Sequence, residues 1–303
     1  MTRRPPKGRT ASPRGRTASP KARTSPPKTR TVPPKVGGQA LSDGVLMRAG
    51  DVWAVARIDG SLELGRLPEN RWAAVPLLRV LTGLGPALFR GLRAMGGTGR
   101  NRQLPRRVRW ALPLFVAGPL LVNAVLSRSL GASTVWGWQS GLTAVALVGA
   151  QLAALRVVMP SSMWRFHGAE HKAVSAYERG SDLDDLDAVL AAPRIHDRCG
   201  TNVVAVLVAA CLLPVPTRGA WSLLTFVLIF ALSVEVVSAA ARRPRSPWSR
   251  VVLVGGHVLQ RFVTTAEPTR EEQAVGVKAL QACLAMLAAD RLAGQELDRL
   301  EAA

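Results

Sequence analysis

WALPLFVAGPLLVNAVL, residues 110–126, is an apolar stretch of nearly the length needed to cross a bilayer as a helix. Three further apolar stretches follow, at residues 134–158, 202–215 and 220–240. Long runs of this kind with few charges are typical of transmembrane helices. The sequence therefore predicts a mainly α polytopic membrane protein with about four transmembrane helices in residues 109–245.

The arginines around these stretches predict an orientation. One basic cluster precedes residue 110 and a second lies at 242–250. Basic clusters favour the cytoplasmic side, and both fall on that side only if the chain crosses four times. The stretch 202–215 is short, so whether it crosses fully stays open. We expect a multi-pass protein of the cell membrane with both termini in the cytoplasm.

The N-terminal tail, residues 1–36, is basic and of low complexity. It holds eleven Lys and Arg and no acidic residue, within a chain of formal net charge +20. With many prolines and few large apolar side chains, it is expected to be disordered. We expect the partners to be the lipid bilayer and, for the tail, anionic lipid headgroups. Nucleic-acid binding is disfavoured because no nucleic-acid fold signature follows the tail.

Residues 37–68 predict a small β unit. Asp59-Gly60 separates two strand-like runs and is a good hairpin signal. Upstream, Gly37-Gly38 and Asp43-Gly44 predict tight turns. Residues 69–108 are apolar but interrupted by proline and glycine, which predicts a broken amphipathic helix in the membrane interface or a packed helix with a basic face.

Residues 246–303 predict an interfacial segment followed by a cytoplasmic C-terminal helix. That helix is expected to begin near Thr269, with Glu271 and Glu272 in its first turn. Its apolar positions would face a partner surface; they are Val275, Leu280, Leu284 and Leu287.

The predicted cytoplasmic loop, residues 160–200, concentrates potential metal ligands. Of four histidines in the chain, His167, His171 and His196 lie there. Residues 167–171 read H-x-x-E-H, which places both imidazoles on one helical face. His196 and Cys199 add an H-x-x-C pair. Imidazole with thiolate suits Zn²⁺, so these four residues are the predicted ligands. Cys211 and Cys283 are expected to be packing residues.

Two alternatives remain open at this point. The polar residues can form a hydrogen-bonded cluster without a metal. If a metal binds, a closed set of three histidines and one cysteine would be structural, whereas three ligands and a water would be catalytic. Glu170 lies beside the histidine face and is the predicted general base of a catalytic site.

Glu235 is a further candidate, because it lies inside the last predicted span. An ionisable residue there is costly and marks a possible ligand, a partner of a ligand or a proton relay. A helix-packing hydrogen bond would also explain it.

Several segments together resemble a known family. Residues 36–48 (VGGQALSDGVLMR), 166–172 (FHGAEHK), 196–201 (HDRCGT) and 259–268 (LQRFVTTAEP), with Glu235, are similar to motifs of the YqhQ-like bacterial membrane proteins. That uncharacterised family is described as predicted metal-dependent enzymes. The resemblance implies that Arg48 and Gln260 belong with the histidine and cysteine positions.

These observations predict a zinc-dependent, membrane-embedded hydrolase acting at the cytoplasmic interface, with Glu170 as the base. Arg198 or Arg48 would bind an anionic substrate group or stabilise negative charge. The alternative is a non-enzymatic scaffold or assembly factor, or a transporter component, in which a metal only staples the loop.

Overall fold

The alternating apolar residues near the N-terminus form an antiparallel sheet. The computed structural model describes residues 33–68, 138–210 and 221–301, together with residues 75 and 80. The strands are β1 (Val36–Ala40), β2 (Gly44–Ala49), β3 (Val52–Arg57) and β4 (Leu62–Arg66). They pair in the order β1-β2-β3-β4. One face of the sheet is buried, with Val45, Met47 and Ala54 all 0% exposed.

Two of the three predicted turns lie where the sequence places them. Asp59-Gly60 joins β3 to β4, and Gly60 takes the left-handed backbone (φ +88°) that a tight hairpin requires. Asp43-Gly44 ends the turn before β2, where the Leu41 N–H donates to the Gly44 carbonyl. The predicted turn at Gly37-Gly38 is wrong. Both glycines lie within β1. At Gly38 a Cβ would overlap the Leu46 carbonyl oxygen of β2 and the Glu170 side chain of a neighbouring helix, whereas Gly37 has open space around it.

The rest of the described chain is helical. The helices are α1 (Trp138–Val158), α2 (Ser161–Arg179), α3 (Leu186–Leu190), α4 (Gly200–Ala210), α5 (Trp221–Arg242), α6 (Pro247–Leu259) and α7 (Arg270–Glu301). A π-helical turn, Gln260–Thr264, continues α6. π-Helical turns often occur at functional sites.

Helices α2 and α7 cover the buried face of the sheet. Phe166 and Val174 of α2 join the strand residues in one apolar core, as do Leu280 and Cys283 of α7. The two helices therefore form one layer and the sheet forms the other. This packing anchors α2, and hence the H-x-x-E-H residues, directly against β1 and β2.

Helix α7 begins and packs as its sequence predicts. The Glu272 N–H donates to Thr269 Oγ1, and the Thr269 N–H donates to the Glu272 carboxylate, which together form a capping box. Val275 and Leu280 are buried, and Leu284 and Leu287 are partly buried against the same core. The partner surface predicted for this helix is the N-terminal sheet.

Helices α4, α5 and α6 share a separate apolar cluster. Val237 and Ala240 of α5 pack with Leu253 of α6. Val203 and Val206 of α4 lie against them. This cluster holds α4 and α6 in place. Helix α4 follows the loop that contains Cys199, and α6 leads into the π-helical turn; both segments contribute to the candidate site.

The prediction of about four transmembrane helices is wrong. Within the described residues, no single helix is both long and apolar enough to cross a membrane. The described part of α4, residues 200–210, spans about 17 Å against the roughly 30 Å of a bilayer core. Residues 145–158 of α1 pass such a test only together with α2, and the two are bent by 102° at their junction.

Other predictions fall outside the described residues. These are the basic tail up to residue 32, the segment 69–108 apart from residues 75 and 80, the stretch 110–126 and Cys211. The cellular location and the orientation of the termini stay predictions.

Candidate metal centre

Helix α2 carries three of the predicted residues on one face. It follows Pro160 and ends where Gly180 adopts the left-handed conformation (φ +72°), which caps the helix. His167 and His171 are one turn apart, and their ring centroids lie 4.4 Å from each other. Glu170 lies between them in sequence and is buried beside both rings. The predicted helical arrangement of H-x-x-E-H is thus present.

The loop before α4 brings Cys199 to these histidines. Cys199 Sγ lies 3.4 Å from His167 Nε2. One ligand atom from each of His167, His171 and Cys199 falls within 4.8 Å of the others. Within the described residues, this is the group of three that could hold a metal ion.

Both histidines are oriented through their other ring nitrogen. His167 Nδ1 lies 2.7 Å from the Thr264 carbonyl, and His171 Nδ1 lies 2.6 Å from the Arg194 carbonyl. A carbonyl oxygen can only accept, so each Nδ1 carries the proton and each Nε2 keeps its lone pair. Metal-binding histidines commonly show this arrangement. Both Nε2 atoms are therefore ready to bind a cation.

The side chain of Arg194 links the two segments that supply those carbonyls. Its Nη1 donates to the Thr265 carbonyl at 2.9 Å, and its Nε donates to Glu267 at 3.0 Å. The loop after α3 is thereby tied to the segment after the π-helical turn. The two backbone acceptors of the histidines consequently belong to one connected framework.

Cys199 has a polar environment on one side. The Thr201 N–H donates to its sulfur at 3.4 Å, and the thiol lies 3.3 Å from the Thr201 hydroxyl. That hydroxyl also lies 3.2 Å from Thr264 Oγ1. Burial nevertheless raises the pKa of the Cys199 thiol to about 11, and the Thr201 hydrogen bonds only partly oppose this. A thiolate at neutral pH therefore needs a nearby cation.

Glu170 has the environment of a carboxyl that can exchange a proton. It is 7% exposed, and its Oε2 lies 4.0 Å from His167 Nε2 and 3.8 Å from His171 Nε2. Burial raises the pKa of Glu170, while His167 and the backbone of Gly38 lower it. A Cβ at Gly38 would collide with the Leu46 carbonyl oxygen and with the Glu170 side chain, which explains the glycine inside β1.

His171 is held in its neutral form. Burial lowers its pKa well below the usual value, and the neighbouring His167 adds to this. Neutral imidazole is the form that binds a metal.

His196, the fourth predicted ligand, is adjacent to the group but engaged elsewhere. Its ring centroid lies 5.8 Å from that of His171. Its Nε2 is 3.2 Å from Glu178 Oε2, and its Nδ1 accepts the Arg198 N–H at 3.2 Å. The H-x-x-C pair is therefore divided, with Cys199 in the three-residue group and His196 outside it.

The predicted arginines take other positions. Arg198 pairs with Glu178, and its Nη2 also donates to the Val36 carbonyl at 3.4 Å. Arg48 is exposed on β2, where its Nε donates to the Gly50 carbonyl at 3.0 Å. Glu235 lies in α5 and is not one of the three grouped residues.

Gln260 holds the loop that carries Cys199. Its Oε1 accepts the His196 N–H at 2.8 Å, and its Nε2 donates to the His196 carbonyl at 3.0 Å. Nε2 also lies 3.2 Å from Asn202 Oδ1, and both side chains are 0% exposed. Gln260 thus positions the loop and does not contact a prospective ion.

Sequence reasoning missed Asn202, Thr201, Thr264 and Arg194. Asn202 Nδ2 donates to the carbonyls of His196 and Asp197 at 3.2 and 2.7 Å. A polar residue starting an apolar helix was an available signal for Asn202. Thr264 and Arg194 act through backbone carbonyls, for which a single sequence carries no signal.

The fold and the site together define a class of protein. A helix packed on a small antiparallel sheet presents two histidines and a buried glutamate, and a separate loop adds a cysteine. The pattern of the family of proteins of unknown function DUF1385 matches residues 107–286, which include all of these site residues. The chain belongs to this family.

One curated relative is similar over more of the chain than the family match covers. The uncharacterised protein YqhQ of Bacillus subtilis (strain 168) is 23% identical over 294 residues, which cover 82% of this chain and 92% of the relative. The predicted YqhQ-like family is confirmed. No solved structure matches the chain.

Proposed function

We propose that this protein is a zinc-dependent hydrolase in which His167, His171 and Cys199 hold the metal and Glu170 is the general base. One observation carries the proposal. Three ligand atoms lie within 4.8 Å of one another, and the carboxylate of Glu170 stands 3.8 and 4.0 Å from the two imidazole Nε2 atoms.

The donor set and its spacing favour zinc. Two imidazole nitrogens and a thiolate are ligands that zinc accepts readily. For zinc–nitrogen and zinc–sulfur bonds of ordinary length in a tetrahedral arrangement, the nitrogen and the sulfur stand about 3.5 Å apart. Cys199 Sγ and His167 Nε2 are 3.4 Å apart. The pair could therefore bind one zinc ion with little rearrangement.

Three protein ligands favour a catalytic site over a structural one. Structural zinc is almost always bound by four protein ligands, whereas catalytic zinc keeps a position for water or substrate. When bound, zinc would supply Lewis-acid polarisation at that position. Glu170, with its pKa raised by burial, would accept a proton from the attacking water and return it to the leaving group.

A structural metal in a non-enzymatic scaffold is the second candidate, and one observation favours it. His171 is 3% exposed and Cys199 is 8% exposed, so the centre is largely enclosed. A modest shift of the Glu170 carboxylate would complete a closed set of four ligands. The two candidates then differ in one respect, which is whether Glu170 binds the metal or acts on water.

The experiment measures metal content and hydrolysis in matched variants. Purified protein should contain about one zinc per chain, and His167→Ala/His171→Ala should contain none. Glu170→Gln should keep its zinc and lose zinc-dependent hydrolysis of a chromogenic carboxylic ester and phosphoester. Protein that binds no stoichiometric metal would overturn the proposal.

Glu272→Gln is the control for loss of a buried carboxylate. Glu272 is 6% exposed, close to the 7% of Glu170, but it caps α7 and pairs with Arg165. Because glutamine also serves in a capping box, this variant should keep both zinc and activity. Loss of zinc from Glu170→Gln alone would identify Glu170 as a ligand and support the scaffold.

A further inference from the structure

A polar cleft lies at the C-terminal end of α2, next to the candidate metal centre. Its volume is about 270 Å³, and its lining includes Ser175, Arg179, His196 and Arg198. Ser175 is four residues after His171, so the two side chains lie one turn apart on the same face of α2. His196 forms part of the wall, with its ring centroid 5.8 Å from that of His171. A molecule in the cleft would therefore lie beside the metal centre.

Most charges that line the cleft are already paired. Glu178 binds both His196 and Arg198. Asp197 forms a separate pair, in which its Oδ1 lies 2.9 Å from His257 Nε2. Each acidic side chain of the lining is thus engaged by a basic or imidazole group. Neither carboxylate is left to neutralise a further cation.

Arg179 is the exception among the lining residues. It is exposed, and within residues 33–68, 138–210 and 221–301 no carboxylate forms an ion pair with it. The cleft wall also includes Ala241 and Pro244, from a segment whose Arg242, Arg243 and Arg245 are exposed. The lining itself holds two arginines and two carboxylates, so the positive excess at this end comes from the arginines of this adjoining segment.

We infer that the cleft binds the phosphate group of a substrate, with Arg179 as the primary contact and Arg198 as the second. The inference rests on the proposed function, because it places the anionic end of a substrate beside the catalytic centre. Guanidinium groups bind phosphate through paired N–H donors. The C-terminus of α2 contributes partial negative charge, so anion binding there depends on the arginines.

Titration calorimetry with inorganic phosphate tests the inference on metal-free protein, since phosphate also binds zinc. We expect millimolar binding that Arg179→Ala weakens at least tenfold and Arg179→Lys weakens less. Glu178→Gln should tighten binding severalfold, because it frees Arg198 from its acidic partner. Arg299→Ala is the control, since Arg299 pairs with Glu296 at the far end of α7.

Two further measurements identify the source of the phosphate. Binding of phenyl phosphate in solution would indicate a soluble phosphate ester. Binding to phosphatidylcholine vesicles only when they contain phosphatidic acid would indicate a lipid headgroup. Arg179→Ala should weaken whichever of the two interactions is observed. Absence of phosphate binding, or equal binding by Arg179→Ala, would overturn the inference. If the purified protein binds phosphate but no metal, the proposed function is refuted and the phosphate-binding role of the cleft is retained.

Discussion

Replacing Gln260 with methionine should weaken both the fold and zinc binding. Gln260 is 0% exposed and satisfies the N–H of His196 and the Oδ1 of Asn202. Methionine fills nearly the same volume, so the substitution removes hydrogen bonds without opening a cavity. The His196 carbonyl keeps the Asn202 amide as a donor. Two buried polar groups are thus left without partners.

The expected magnitudes follow from those two groups. Each unsatisfied buried group costs about 1–3 kcal/mol, so the free energy of unfolding should fall by about 2–6 kcal/mol. Cys199 is three residues from the released His196 backbone, and loss of such supporting contacts lowers metal affinity about 10–100-fold. Urea unfolding followed by tryptophan fluorescence measures the first, and chelator competition for zinc measures the second.

Gln273→Met is the matched control. Gln273 is also 0% exposed, but its Oε1 has no partner among the described residues and its Nε2 donates only to the Ala169 carbonyl, at 3.1 Å. That variant should lose less than about 1 kcal/mol and keep its zinc affinity. Gln260→Glu retains the acceptor for the His196 N–H and should lose less affinity than Gln260→Met. If Gln260→Met is destabilised yet binds zinc as the unchanged protein does, Gln260 does not position Cys199.

Three further predictions concern the centre and the elements around it. Zinc affinity should rise about tenfold per pH unit between pH 6 and 8, because the buried Cys199 thiol, with a pKa of about 11, releases its proton on binding; Cys199→Ser should flatten that slope in chelator competition. Gly168→Ala should destabilise the protein by about 1–3 kcal/mol in urea, because its Cβ would overlap the backbone oxygen of Ala266. Gly149→Ala, in a helix with open space, should instead stabilise by about 0.5–1 kcal/mol, and equal effects would contradict this reasoning. Thr269→Ala should cost about 1 kcal/mol by removing the cap of α7, and unchanged unfolding would show that the cap is dispensable.

The local features of the fold could be predicted because short-range rules fix them. A four-residue spacing sets His167 and His171 on one helical face, and this holds wherever the helix packs. The Asp59-Gly60 hairpin depends on a left-handed glycine. The start of α7 follows from the capping box at residues 269–272.

The predicted membrane helices failed because an apolar run shows only that its side chains avoid water. It does not identify the environment that receives them. In α4, Val203 and Val206 lie against Val237 and Leu253 of two neighbouring helices. Within the described residues, no single helix combines the length and the apolar composition needed to cross a membrane.

The position of His196 could not be predicted for a different reason. Its Nε2 faces Glu178, 18 residues earlier, and its Nδ1 accepts the nearby Arg198 N–H. Which partner an imidazole selects depends on where the loop is held. Gln260 and Asn202 hold it, and both come from separate elements. Ligand type and spacing therefore identified the region of the metal centre, but not which of the candidate residues form it.

The electrostatics of the three grouped residues and of Glu170 support the proposal that this site holds a cation. Burial raises the pKa values of Cys199 and Glu170 and lowers that of His171, so each group is driven toward its neutral form. Buried polar side chains in their neutral forms add little to the stability of the fold, and apolar side chains of similar size would pack there equally well. Yet Gly38 leaves room for Glu170, and two backbone carbonyls fix the tautomers that direct both Nε2 atoms inward. A divalent cation would favour the thiolate of Cys199 over the thiol. It would also accept the lone pairs of the two histidine Nε2 atoms. A Cβ at Gly38 would also overlap the Leu46 carbonyl oxygen, so the glycine serves the sheet as well as Glu170, and it is the two inward lone pairs that support the proposed metal centre.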